Sequence, residues 1–346
     1  MKENVDVVII TALDIERNAM LKYLPQSERV VNRGRIYYRT RLFKGGDDHL
    51  NIVLLSLPHM GNINSSIAVT QAKEVWNPRF IISVGIAGGI KNDDAQLGDL
   101  IVAEQVVYYE NAKKVDIDTI RRYSSQPSSM ELLNYSHNLN TDEWFLNVAV
   151  NPPIELKRKP KIYFGPVLTG EKVISSKVFL DEMKKVFPKS IGIEMEGYGI
   201  ALASFQSVNR PGFLLIKSIC DWADNSKNDD WQQYAAHISA SYTVSFLKSL
   251  IVSTFDWDRN RKQLQKKEKK IYDGKMKICL CRNLLDDWHD LADYFDIPLN
   301  HRKRFIQGRE CQGIWEWLET RNKLFAITEA LKFINREDLL NCFDSE

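Results

Sequence analysis

Residues 80–89 read Phe-Ile-Ile-Ser-Val-Gly-Ile-Ala-Gly-Gly, and this stretch decides the fold class. The run 80–84 is short and apolar and stops at a glycine turn carrying Gly85, Gly88 and Gly89, the pattern of a strand buried on both faces. Outward from it, 5–10 and 52–57 are similar apolar runs. Residues 35–42 alternate as a half-exposed strand does, and strand patterns resume at 162–168 and 213–220. Helical spacing fills the intervals at 14–24, which stops before Pro25, and at 65–76, and a closing helix is predicted over 231–253. Strands alternating with helices predict an α/β domain of three layers, with a mixed, mostly parallel sheet between its helices. Ligands in such sheets sit at the carboxyl ends of the strands, so the residues just after each strand are the candidates for chemistry.

Residues 111–160 are polar and irregular, with serines at 124–129 and the Pro152-Pro153 pair. They are expected to form a functional flap or a mobile insertion. Residues 256–277 hold nine Lys or Arg and little periodicity. This reads as a basic linker or an exposed helix, with a nucleic-acid arm as the alternative. From 278 a helical pattern returns through Leu284, Leu285, Trp288, Leu291 and Phe295, followed by helices near 314–318 and 324–333. The expected organisation is an α/β domain over 1–255, the linker over 256–277 and a compact all-helical domain over 278–346.

The net charge of +2 gives no global case for nucleic-acid binding. The N-terminus enters a strand pattern at once, unlike a signal peptide, and no apolar run approaches a membrane span. The five cysteines, an odd number, argue against a disulfide framework and suit a reducing cytoplasm. Cys279 and Cys281 form a C-x-C pair with no second pair at zinc spacing. No metal or cofactor is expected.

Four segments carry the chemistry: Ile10-Thr-Ala-Leu-Asp-Ile-Glu16, Ser83-Val-Gly-Ile-Ala-Gly-Gly89, Gly192-Ile-Glu-Met-Glu-Gly197 and Ser218-Ile-Cys-Asp-Trp-Ala-Asp224. A purine leaves a ribose only if the charge arriving on the ring is neutralised, which a carboxylic acid near N7 can do. The sugar becomes oxocarbenium-like, so a carboxylate near its hydroxyls helps to hold it. In order and spacing the four segments resemble the nucleoside phosphorylase/nucleosidase superfamily, in particular the methylthioadenosine/S-adenosylhomocysteine nucleosidases. The resemblance implies Asp221 as the acid at the base and Glu16 as the group that activates water. It implies Glu196 and Met195 at the ribose, with Glu194 beside them, and Gly85 and Ile86 in the glycine turn. The backbone of Val173 and Ile174 would read the adenine edge, and Asp224 would support the acid. Asp14, near Glu16, is expected to cap its helix.

The two branches of that superfamily differ in the nucleophile. The hexameric purine phosphorylases place an arginine and a serine where this chain has Ser83 and Ile86, which cannot hold free phosphate. Glu16 would repel phosphate and activate water, so hydrolysis is expected. Arg33, before Gly34, resembles an arginine that phosphorylases lend to a neighbouring subunit, and it could instead serve a phosphate carried on the substrate. Arg17, Arg33 and Arg35, together with Lys113, Lys114, Arg121 and Arg122 of the flap, would suit a phosphorylated substrate such as AMP or ATP. The alternatives are methylthioadenosine/S-adenosylhomocysteine salvage, phosphorolysis, and a nucleotide-binding sensor without turnover. The family also implies at least a homodimer.

The stretch Asp287-Trp-His-Asp-Leu-Ala-Asp-Tyr-Phe295 and the helices that follow resemble bacterial effector-associated, death-like domains. Trp288, Trp315 and Trp317 suit a core, and Arg302, Lys303, Arg304 and Glu310 suit polar docking. The combination implies a purine nucleosidase effector of an antiphage or conflict system, recruited by a protein partner through 278–346.

Overall fold

The structure, a computed structural model, describes residues 4–343 apart from 46, 47, 92, 93, 117, 140, 141, 207, 208, 269–271, 273 and 322; of 44, 45, 48, 118, 142, 143 and 251–268 it describes the backbone alone. The chain forms two compact units, Met1–Val252 and Ser253–Glu346.

The first unit is built on twelve strands: β1 (Val7–Thr11), β2 (Glu28–Asn32), β3 (Arg35–Gly45), β4 (Asp48–Ser56), β5 (Phe80–Gly89), β6 (Leu100–Tyr108), β7 (Ala112–Val115), β8 (Asp118–Arg121), β9 (Ser125–Pro127), β10 (Ile162–Thr169), β11 (Gly192–Glu194) and β12 (Gly212–Asp221). Its helices are α1 (Asp14–Tyr23), α2 (Asn62–Trp76), α3 (Met130–His137), α4 (Asp142–Leu146), α5 (Lys177–Val186), α6 (Gly197–Phe205) and α7 (Gln232–Glu268). One mixed sheet runs in the order β11-β10-β6-β12-β5-β1-β4-β3-β2. Its central strands β4, β1, β5 and β12 are parallel neighbours, as are β6, β10 and β11. Alternation along β1 makes the three layers. Val7 and Ile9 enter one core with Met20 of α1, Leu132 of α3 and Phe246 of α7. Val8 and Ile10 enter the other with Ala68 and Val69 of α2 and Ile200 of α6.

The glycine turn is corrected. Gly85 to Gly89 do not end the strand; β5 continues through them and pairs with β12 on one side. On the other side Gly88 and Gly89 pair antiparallel with Ile193 and Gly192 of β11. The pairing closes β5, β12, β6, β10 and β11 into a ring. Side chains here would collide: a Cβ on Gly89 would lie 2.6 Å from Ile219 Cγ2.

The stretch 111–160 is also corrected. It holds the hairpin β7–β8, strand β9 paired with β6, and helices α3 and α4. Local polarity hid them because β7 and β8 are two-sided and largely solvated, with Lys114 Nζ donating to Thr119 Oγ1 at 3.1 Å. In the basic stretch, α7 carries on to Glu268, while 269–271 and 273 lie outside the described residues.

The second unit is all-helical: α8 (Gly274–Asn283), α9 (Trp288–Tyr294), α10 (Leu299–Arg302), α11 (Glu310–Glu319), α12 (Ile327–Phe333) and three 3-10 turns at Leu285–Asp287, Leu324–Ala326 and Glu337–Phe343. Leu284, Leu291, Ile314, Trp315, Leu331 and Phe343 make its core, but Leu285 is 73% exposed. Arg302 is structural, because Nε donates to Ile297 O at 2.6 Å and Nη2 to Ala292 O at 3.1 Å. The cysteine expectation fails here. Cys279 and Cys342 form a disulfide, 63 residues apart, because α8 packs on the last 3-10 turn and brings their Cα atoms to 5.6 Å. An odd count does not reveal that contact, and it no longer argues for a reducing compartment.

Candidate active site

A cavity of about 310 Å³ opens at the carboxyl ends of β1, β5 and β12. Glu16, Ile86, Met195, Glu194, Glu196, Val173, Ile174 and Asp221 all line it. Local sequence explains each arrival. Glu16 is the third residue of α1, one turn after β1, and its carboxylate bends back to the helix start. Oε2 accepts from Ala12 N at 2.7 Å and Leu13 N at 2.9 Å, and Oε1 accepts from Ile86 N at 2.8 Å. Glu16, rather than Asp14, therefore satisfies the helix start. Asp14 points outward and pairs with Arg17 at 2.7 Å. Gly85 contributes space: a Cβ there would stand 1.9 Å from Glu16 Oε1.

The β11–α6 corner supplies two buried glutamates. Glu194 turns onto its own backbone, with Oε1 and Oε2 accepting from Gly197 N at 3.0 Å and Oε2 from Glu196 N at 3.1 Å. That geometry neutralises the start of α6. Glu196 reaches across the cavity, where Oε1 accepts from Gly61 N at 3.1 Å. Between them lies a residue the motif reading missed. Lys217, in the middle of β12, is 1% exposed, with Nζ 3.7 Å from both Glu194 and Glu196. A lysine inside the run Phe213-Leu-Leu-Ile-Lys-Ser-Ile-Cys220 was the available signal, because an ammonium is not buried without partners.

Burial raises the Glu196 carboxyl, Lys217 opposes that, and Glu194 and Glu16 add to it, leaving it at about 7. Desolvation acts to lower Lys217, but Glu16, Glu196 and Glu194 overcome it and hold the ammonium charged. Glu194, Glu196 and Lys217 thus form a compensated buried cluster, on which Glu16 also acts.

Asp221 ends β12 at 4% exposure. Oδ1 accepts from Ala223 N at 2.7 Å, and Oδ2 lies 2.9 Å from Lys227 Nζ. Lys227, Met60, Asp229 and Gln232 are also in the lining and were not anticipated. Asp224 is elsewhere: it faces Lys91 at 3.0 Å and Ser226, whose hydroxyl chiefly holds its carboxyl down at about 2. Arg33 is also outside this cavity, as are Lys113, Lys114, Arg121 and Arg122 of the supposed flap. Arg121 instead donates to Tyr109 O at 3.0 Å. Among the described residues, no three His, Cys, Asp or Glu are grouped to hold a metal. No described helix is long and apolar enough to cross a membrane.

Residues 6–251 match the Phosphorylase superfamily. The chain belongs to that superfamily. Residues 274–346 match Bacterial Death-like domain 3. Among superfamily relatives, an ATP nucleosidase, Cap17, from Escherichia coli strain KTE188 is 24% identical over 265 residues, covering 70% of this chain and 51% of its own. The chain thus spans about half the length of that curated relative. A 5'-methylthioadenosine/S-adenosylhomocysteine nucleosidase from Desulfotalea psychrophila is 26% identical, covering 71% of this chain and 96% of its own. The crystal structure of the Neisseria meningitidis 5'-methylthioadenosine/S-adenosylhomocysteine nucleosidase with methylthio-immucillin-A superposes with a TM-score of 0.56 at 19% identity, over 71% of this chain and 99% of that one. That likeness establishes the superfamily fold in this chain.

Proposed function

We propose that the chain is an adenine nucleotide N-ribohydrolase of the ATP or AMP type, which releases free adenine by attack of water. The observation that carries this is the convergence of Glu16, Glu196 and Asp221 on one cavity, at separate strand ends. Asp221 holds the proton at purine N7 as the glycosidic bond breaks and its electron pair moves into the base. Glu196, with Met195 beside it, holds the ribose hydroxyls while the sugar carries positive charge. Glu16 takes a proton from water as the water oxygen bonds to the anomeric carbon. The backbone of Val173 and Ile174 meets the adenine edge.

Water, rather than free phosphate, suits this site. The Ile86 N–H already serves the Glu16 carboxylate and is not free for a phosphate oxygen. That carboxylate would repel a phosphate anion. Lys227 beside Asp221 adds a positive charge where the purine develops negative charge. The ATP assignment is supported by the name of the Cap17 relative. A methylthioadenosine-type substrate is the second reading, because Leu13 and Met60 put apolar side chains in the lining of this cavity.

The helical unit is assigned to partner docking in an antiphage or conflict setting, with 256–277 joining it to the 1–255 enzyme. Support comes from its match to the death-like family and its exposed Leu285, Ile306 and Phe333. The superfamily suggests a homodimer or larger assembly, and a cytoplasmic enzyme acting on a small purine compound.

The deciding experiment incubates the purified chain with ATP, AMP, adenosine and methylthioadenosine without phosphate and measures adenine by chromatography. Adenine from ATP or AMP is expected. Release from methylthioadenosine alone would sink the nucleotide assignment, and no release from any of the four would sink the enzyme.

A further inference from the structure

A second cavity, of about 570 Å³, lies over the ends of β3 and β4. Asp14, Arg17, Arg33, Arg35, Ser56 and Gln71 provide its polar lining. Three guanidiniums thus face one carboxylate. Arg17 is committed to Asp14 and Asn18. Arg33 gives one N–H to Glu74, whose side chain is 54% exposed, and Arg35 gives its Nε to the neutral Gln71 side chain. Their other guanidinium N–H groups have no partner among the described residues. An exposed pair such as Arg33–Glu74 is worth little in water, so an incoming anion can displace it.

The turn around Arg33 is informative. Arg33 at φ 49° and Gly34 at φ 75° form the two-residue connection between β2 and β3. Such turns favour Asn-Gly, and a long side chain in the left-handed region is disfavoured. Turn chemistry does not call for an arginine here, whereas a ligand of opposite charge does.

The two cavities are neighbours along the sheet edge. Thr11 and Ser56 are paired at the ends of β1 and β4, and Leu57 N donates to Thr11 O at 2.8 Å. Ala12 and Leu13 then line the first cavity, while Asp14 and Leu57 line the second. Adjacent strand ends are ~4.8 Å apart. From Asp221 on β12, past Glu16 after β1, the first cavity therefore points toward the second, one strand further on. A nucleoside placed along that line, with its base at Asp221 and its anomeric carbon at Glu16, has its sugar on the side of the second cavity.

We infer that the Arg17–Arg33–Arg35 cavity binds the 5′-phosphate chain of the nucleotide substrate, an assignment that rests on the nucleotide reading above. Guanidinium forks match phosphate oxygens two at a time, which suits a polyphosphate better than a single point charge would. The Ser56 hydroxyl offers a further polar contact in the lining.

The test compares the full chain with Arg33→Gln/Arg35→Gln and Arg33→Lys/Arg35→Lys. Adenine release is measured from ATP and from adenosine, and tripolyphosphate binding is measured by calorimetry. In the Gln pair, kcat/KM for ATP should fall about 10- to 100-fold, two charge-assisted bonds being removed. Adenosine should change less than about 2-fold, since its turnover never reaches these residues. Tripolyphosphate should bind the wild type, more weakly the Lys pair and least the Gln pair. Equal losses for ATP and adenosine, or unchanged ATP turnover, would overturn the assignment, as would equal tripolyphosphate binding by all three proteins. A wild type that binds tripolyphosphate but releases adenine from nothing would instead overturn the nucleosidase reading and keep the anion site.

Discussion

The two units bury different things. The first hides Glu16, Glu194, Glu196 and Asp221 in the lining of one cavity, with Lys217 buried against two of them. In the second, the described buried residues are all apolar or cysteine, from Leu280 through Trp315 to Phe343. Buried charge weakens a fold unless it is fully paired, so a chain concentrates it where chemistry needs it. The first unit therefore carries its function inside. The second has a conventional core, and what it does must happen at its surface.

Disturbing the buried charges should have the largest effects. Asp221→Asn keeps the shape but cannot hold the proton at N7, and adenine release should fall about 10²- to 10⁴-fold with thermal stability little changed. An unchanged rate would remove Asp221 from the acid role. Lys217→Met leaves Glu194 and Glu196 uncompensated and should cost about 3–5 kcal/mol in urea unfolding. Lys217→Arg should restore most of it, whereas a Met variant as stable as wild type would mean the cluster is not compensated as described.

The same contrast predicts separability. Trp315→Ala empties the helical core and should cost that unit about 3–5 kcal/mol. Adenine release by the first unit should persist, and its loss would show that the two cores depend on each other.

A smaller effect comes from Glu196. Its folded carboxyl is raised to about 7, so below that pH it is protonated and no longer offers negative charge to the cationic sugar. Raising the pH through 7 should therefore increase kcat/KM, about tenfold per unit on the acid side. For stability the sign is opposite: the protonated form is favoured by folding, and that contribution fades as pH rises from the ordinary carboxylate range through 7. A pH–rate profile flat from 5 to 8 would refute it. The smallest effect is at the surface of the helical unit. Leu285→Asp should alter stability by less than about 0.5 kcal/mol and leave adenine release unchanged.

Much of this was legible along the chain. Short apolar runs and glycine breaks mark buried strands whatever surrounds them, because strand and helix periods are local properties. They put Glu16 and Asp221 just behind strands, where an α/β sheet presents its ligand sites. The helical tail was legible for the same reason, through Leu284, Leu291, Ile314 and Trp315. What only the tertiary structure decided are contacts between distant segments. It extended β5 through Gly85 to Gly89 so that β11 could close on it, and it put Glu16 against the Ile86 N–H. It set Lys217 between two glutamates more than twenty residues earlier, joined Cys279 to Cys342 and moved Arg33 from the first cavity to a second one. Periodicity reports which face a residue takes, but a charge partner depends on which strands become neighbours, and that choice belongs to the whole sheet.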